Sequence, residues 1–105
     1  MEKIIFTEEI LFYFDELINT LFVEEYFGYV ENAQLYVTKI VDFIIVEIHN
    51  SPHKRTPEIL GYLGSNYIFY KFNKRTTWYI FFEKKDTNIL ITGIFNTHCE
   101  EAKSL

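Results

Sequence analysis

Few side chains in this sequence offer chemistry near neutral pH, and they gather in its second half. His98 is the clearest, because an imidazole exchanges protons near neutrality and the residue stands just past the last apolar run, where a side chain can face a cleft. The plain alternative is an exposed polar residue after a strand. Lys71, Lys74 and Arg75 crowd one short stretch, and Lys54 with Arg55 stands in the segment before it. A shared basic edge contacting phosphate or an acidic partner is chemically reasonable there, although lysines in turns also serve simply to keep a surface wet. Cys99 is the single cysteine, with no histidine partner at a suggestive spacing. Neighbours on an extended chain face opposite ways, so beside His98 it reads as a packed or idle thiol. One cysteine excludes an internal disulfide, and no residue spacing builds a metal site; neither a metal nor a small-molecule cofactor is expected.

The formal charge of −5 conceals a segregation along the chain. Residues 1–52 carry ten acidic and two basic side chains, a balance of −8, whereas residues 53–105 carry eight basic and five acidic, a balance of +3. Within 53–85 seven basic residues (Lys54, Arg55, Lys71, Lys74, Arg75, Lys84, Lys85) face two acidic ones (Glu58, Glu83). That local excess of +5 attracts phosphate or an acidic protein, where the global charge alone argues against nucleic acid.

These groups need a scaffold, and 105 residues with 49% hydrophobic content are enough for one domain with one real core. Lys3 to Phe6 reads as an opening strand. Thr7, with a hydroxyl to cap, and the carboxylates of Glu8 and Glu9 then start a first helix whose stripe is Ile10, Leu11, Phe14, Leu17, Ile18, Leu21 and Phe22. Gly28 offers a helix stop in the region 26–30, after which Glu31 and Asn32 open a second helix with the stripe Val37, Ile40, Val41, Ile44, Ile45 and Ile48. The two make a hairpin. Asn50, Ser51 and Pro52 end it, His49 sits at the helix end, and residues 53–65, with His53, Pro57, Gly61 and Gly64, read as a loop.

The period then changes to two, predicting strands over 67–72, 78–82 and 89–95 joined by hairpins at 73–76 and 84–88. The expectation is an α+β fold: one two-layer domain with an N-terminal strand, a helical hairpin and three antiparallel strands. The rings of YIFYKF and WYIFF suit the filling between sheet and helices, and also suit a base-stacking platform. Glu8, Glu9, Asp15, Glu16, Glu24 and Glu25 make an acidic helix face, read as solvated or as a partner surface. No apolar segment approaches the roughly 18 residues that span a bilayer, and no signal peptide is evident, so a cytoplasmic protein is expected.

The segment 63–101, LGSNYIFYKFNKRTTWYIFFEKKDTNILITGIFNTHCEE, resembles the C-terminal half of RelE/ParE toxins of type II toxin–antitoxin systems. Its most particular parts are Arg75-Thr76-Thr77-Trp78-Tyr79 at a strand entry and Asn96-Thr97-His98 after the last strand. Over residues 1–62 the order of elements agrees. The resemblance implies a toxin neutralised by a cognate antitoxin protein that wraps the helical hairpin or lays a segment across the basic sheet face. In the RelE branch the activity is ribosome-dependent mRNA cleavage, an endoribonuclease reaction in which the RNA 2′-hydroxyl attacks the adjacent phosphate. On that basis His98, Arg75 and Lys71 are the catalytic candidates, and Lys54, Arg55 and Lys74 the RNA- or phosphate-binding ones. His98 falls where some relatives place a histidine and others an arginine. Trp78 falls where RelE enzymes carry an arginine in the middle strand, and no tyrosine follows His98. These departures keep open a ParE-like inhibitor of DNA gyrase and a catalytically inert interaction module on the same scaffold.

Overall fold

The computed structural model describes residues 3–24 and 30–105. Among them the chain runs β1 (Lys3–Phe6), α1 (Glu8–Glu24), α2 (Val30–Glu47), β2 (Lys54–Arg55), a 3-10 helix (Glu58–Leu63), β3 (Asn66–Lys71), β4 (Thr77–Lys85), β5 (Asn88–Asn96) and a second 3-10 helix (Glu100–Ser104). The expected small α+β domain is present, with helices and strands at the positions that the two periodicities indicate. Gly28 and Glu25 lie outside the described residues, and the side chains of Leu21, Phe22 and Glu24 outside what is described of α1.

The sheet has the order β1-β5-β4-β3-β2. It is mixed rather than antiparallel as expected, since β1 pairs with β5 in parallel, Lys3 opposite Asn88 and Phe6 opposite Ile91. The chain leaves β1 through the helices, enters the far side of the sheet at β2, and meanders back through β3 and β4, so β5 returns alongside β1 in the same sense. The region 53–65, expected to be a loop, contains both β2 and the first 3-10 helix. Thr7 also departs from expectation. Its carbonyl accepts from the N–H groups of Ile10 and Leu11, opening α1, but its N–H remains in the sheet on Ile91 O. Its hydroxyl caps nothing and is buried without a partner among the described residues.

Alternation splits the rings between two faces. On the helix side Ile10 and Phe14 of α1 and Ala33, Val37, Ile40 and Ile44 of α2 pack on Ile68, Trp78, Ile80, Phe82, Ile89, Ile91 and Ile94. Leu11 and Ile45, both placed on the apolar stripes, lie about half exposed at the stripe margins. Trp78 is fully buried, and its indole N–H donates to Tyr36 Oη at 3.2 Å. Removing such a ring from water stabilises the fold by about 1.5–3 kcal/mol. On the other face Leu60, Phe81 and Phe95 form a smaller cluster joined by Leu63, Tyr67, Tyr79, Cys99 and Ala102. The two 3-10 helices cover that part of the sheet and leave the β3 side open.

A bulge in β5 fixes this second cover. Phe81 pairs with Gly93 and Phe82 with Ile91, so Thr92 is the extra residue. Its hydroxyl donates to Leu63 O at 2.6 Å. Gly93 lies directly beneath Leu63, and a Cβ added there would stand 2.9 Å from both the Leu63 carbonyl oxygen and its Cβ.

Candidate functional site

The turn joining β3 to β4 is built by its own side chain. Asn73 Oδ1 accepts from the backbone N–H of Arg75 at 2.8 Å and of Thr76 at 2.9 Å, while Phe72 N–H donates to Thr76 O at 2.9 Å. An asparagine that satisfies the amides two and three residues on closes a tight turn without glycine. The residues left outside the closed turn are Lys74 and Arg75, both exposed.

The exit from β5 repeats the device. Asn96 Oδ1 accepts from His98 N–H at 2.8 Å. Cys99 is half-buried, packs with Phe81 and Phe95, and directs its Sγ toward Asn96 Oδ1 at 3.8 Å, so it is the packed thiol expected of it. Thr97 then laces the two turns together: its N–H donates to Thr77 O at 3.0 Å and its hydroxyl to Arg75 O at 3.3 Å. The result brings His98 Nε2 to 3.1 Å from Thr76 Oγ1. His98 Nδ1 has no partner among the described residues.

Asn73, Lys74, Arg75, Thr76 and His98 together line one open depression of about 430 Å³. His98, more than 20 positions beyond Lys74 and Arg75 in the sequence, is therefore their neighbour in space. Thr76, Asn96 and Thr97 stand in the two segments that carry the resemblance and Asn73 opens the hairpin at 73–76, but none was given a role at the site, because the hydrogen bonds of small polar residues at turns leave no periodic signal.

The remaining candidates divide. Lys71 pairs with Thr77 across the ladder, one residue from Thr76, but it faces a second, smaller groove with Lys54, Tyr67, Phe69, Thr77, Tyr79 and Leu105. Lys54 Nζ lies 5.7 Å from the centre of the Phe69 ring, a cation over an aromatic face. The two grooves adjoin at Thr76 and Thr77. Arg55 alternates to the opposite face from Lys54, lines neither groove, and is not brought to the others.

Two phenols nearby are held in their protonated form. Burial, then the neighbouring Cys99 and Tyr36, push Tyr13 up to about 12, and burial with Tyr79 raises Tyr67 above its usual range. The arrangement can thus bind a phosphodiester between guanidinium and ammonium groups and exchange one proton with it through an imidazole. The described residues contain no group of three or more His, Cys, Asp or Glu side chains that could hold a metal ion. No described helix is long and apolar enough to cross a membrane.

The architecture defines a class, a small two-layer α+β domain with a mixed five-stranded sheet and a polar site at one sheet end. No protein-family model, curated protein or solved structure matches the chain.

Proposed function

We propose that this protein is the toxin of a type II toxin–antitoxin pair and inhibits translation by cutting mRNA on the ribosome. The observation that carries the reading is the convergence of His98 with Arg75 and Lys74 on one open depression. RNA cleavage through the 2′-hydroxyl needs a proton-transfer group beside the scissile phosphate and positive charge on its oxygens. His98 supplies the first through Nδ1, with Thr76 steadying Nε2. Arg75 and Lys74 supply the second, and Lys71 with Lys54 holds the flanking strand in the adjoining groove, where Phe69 and Tyr79 offer surfaces for bases. The site is open on the solvent side, as a site that works on a strand already held by the ribosome must be. A cognate antitoxin would cover this basic surface or wrap the helical hairpin, and the cytoplasm is where such a pair would act.

One observation favours a second reading. Near the site β4 turns Thr77 and Tyr79 to the open face, Phe81 is buried beneath the 3-10 helices and Trp78 is sealed in the main core, so the middle strand presents no cation to a phosphate there. A gyrase inhibitor or a non-catalytic module on this scaffold does not need one.

Controlled expression of the chain in a bacterial host, wild type beside His98→Ala, separates these readings when protein and DNA synthesis are followed separately. Early collapse of protein synthesis that the substitution relieves is the expected result. Arrest of DNA synthesis with translation intact would move the assignment to gyrase, and unaffected growth with folded protein present would leave an inert module.

A further inference from the structure

The outer edge of β3 is open over half its length. β2 covers only Asn66 and Tyr67, through the pairs Arg55–Asn66 and Lys54–Tyr67. Continuing that register would set Pro52 opposite Phe69, and proline has no N–H to give a ladder. The chain instead turns away, with His53 Nε2 bonded to Ile48 O and its ring against Phe82.

The hydrogen-bonding phase of the ladder says which groups this leaves. Thr56 N–H donates to Ser65 O, and Phe72 N–H donates to Thr76 O on the opposite side. Bonding alternates along a strand, so odd-numbered residues of β3 direct their backbone groups outward and even-numbered ones toward β4. Phe69 and Lys71 therefore present N–H and C=O groups to solvent, with no backbone partner among the described residues.

Both sides of this edge are shaped. On the helix side a shallow groove of about 370 Å³ runs between α2 and β3, lined by Lys39, Asp42, Phe43, Val46, Glu47 and Tyr70. Phe43 and Tyr70 pack at 4.5 Å between ring centres, and Val46 is 60% exposed. On the open face stand Phe69, 39% exposed, and the ammonium groups of Lys54 and Lys71, with no carboxylate paired to either among the described residues.

We propose that this edge receives an extended segment of a partner protein as a sixth strand, antiparallel to β3, in which apolar and acidic residues alternate. Residues opposite Tyr70 turn their side chains into the Phe43–Val46–Tyr70 groove and must be apolar. Residues opposite Phe69 and Lys71 turn to the open face, between two lysines, and must be acidic. A second copy of this chain is a poor occupant, because pairing two β3 edges would gather Lys54 and Lys71 of both copies on one face. The docking does not rest on the RNA reading, although the segment and an RNA strand would compete for the same lysines.

A capped seven-residue peptide alternating glutamate with valine, titrated to millimolar concentration against the full chain, is the probe. Amide exchange read by NMR should slow at Phe69 and Lys71. In the antiparallel register the glutamate N–H groups face β3, so N-methylation of the glutamates should weaken binding about tenfold per blocked bond, whereas N-methylation of the valines should not. Unchanged exchange at both amides, or equal binding by a peptide alternating lysine with valine, would overturn the proposal. So would protection of those amides in a concentration-dependent dimer without peptide, which would make a second copy the occupant.

Discussion

His98 is held at two points, by its own N–H on Asn96 Oδ1 and by Nε2 at Thr76 Oγ1. If the threonine steadies the imidazole, Thr76→Val keeps the shape and β-branching but loses the bond, and the proposed RNA cleavage should fall about tenfold with His98 intact. Asn73→Ala removes the acceptor of two turn amides and should cost about 1 kcal/mol in denaturant unfolding, with a further loss of activity as Lys74 and Arg75 lose their setting. Tyr13 gives a pH test. An acid whose ionisation is pushed from 10.0 up to about 12 by burial, and next by Cys99 and Tyr36, is neutral in the fold while the unfolded chain already ionises it. Its contribution is whole below the unfolded value and is lost as pH rises toward the folded one. Stability should therefore fall more steeply between pH 10 and 12 in the wild type than in Tyr13→Phe, read from unfolding midpoints at each pH. His98 and Arg75 were legible in the sequence because side-chain type announces chemistry. Thr76 and the two asparagines were not, since their roles come from turn geometry.

Among the elements, the helices and the long strands were legible because burial on one side writes a period of 3.6 or 2 into the sequence, as Ile40, Ile44 and Ile48 or Trp78, Ile80 and Phe82 do. The parallel pairing of β1 was not, because side chains alternate identically in parallel and antiparallel strands. Nor was the first 3-10 helix, six residues without a repeating face, of which Leu60 alone is fully buried. Its place is set from elsewhere, by Thr92 and Gly93 in the bulge of β5. Gly93→Ala should push Leu63 outward and cost about 1–3 kcal/mol, seen as a lower thermal midpoint. Leu63 is carried by the short helix that packs on Phe81 and Phe95, so the loss should extend to the cover over that face. The hairpin at Asp86, with φ at 56°, shows how little glycine the sheet needs, because aspartate tolerates the left-handed region.

Opposite charges are gathered in the two halves of the sequence, and in the fold they sit largely on different elements. Exposed acids, Glu8, Glu9, Asp15 and Glu16, lie on α1, and the cations of the β3–β4 hairpin lie at the sheet end and on its open face. A protein that is acidic overall can thereby present a basic surface, and under the proposed function its affinity for RNA should fall with salt as phosphate contacts with few lysines and arginines are screened. The segregation was legible in the residue counts; which cations share a depression was not, since Lys71 and Arg75 are close in sequence yet face adjoining grooves. Cleavage of ribosome-bound mRNA at the His98 site is the proposed activity. It is tested most directly by incubating the purified protein with programmed ribosomes and mapping the ends of the mRNA. Fragments with 5′-hydroxyl ends are expected from the wild type and intact mRNA with folded His98→Ala; intact mRNA with the wild type, or cleavage undiminished by the substitution, would rule this activity out.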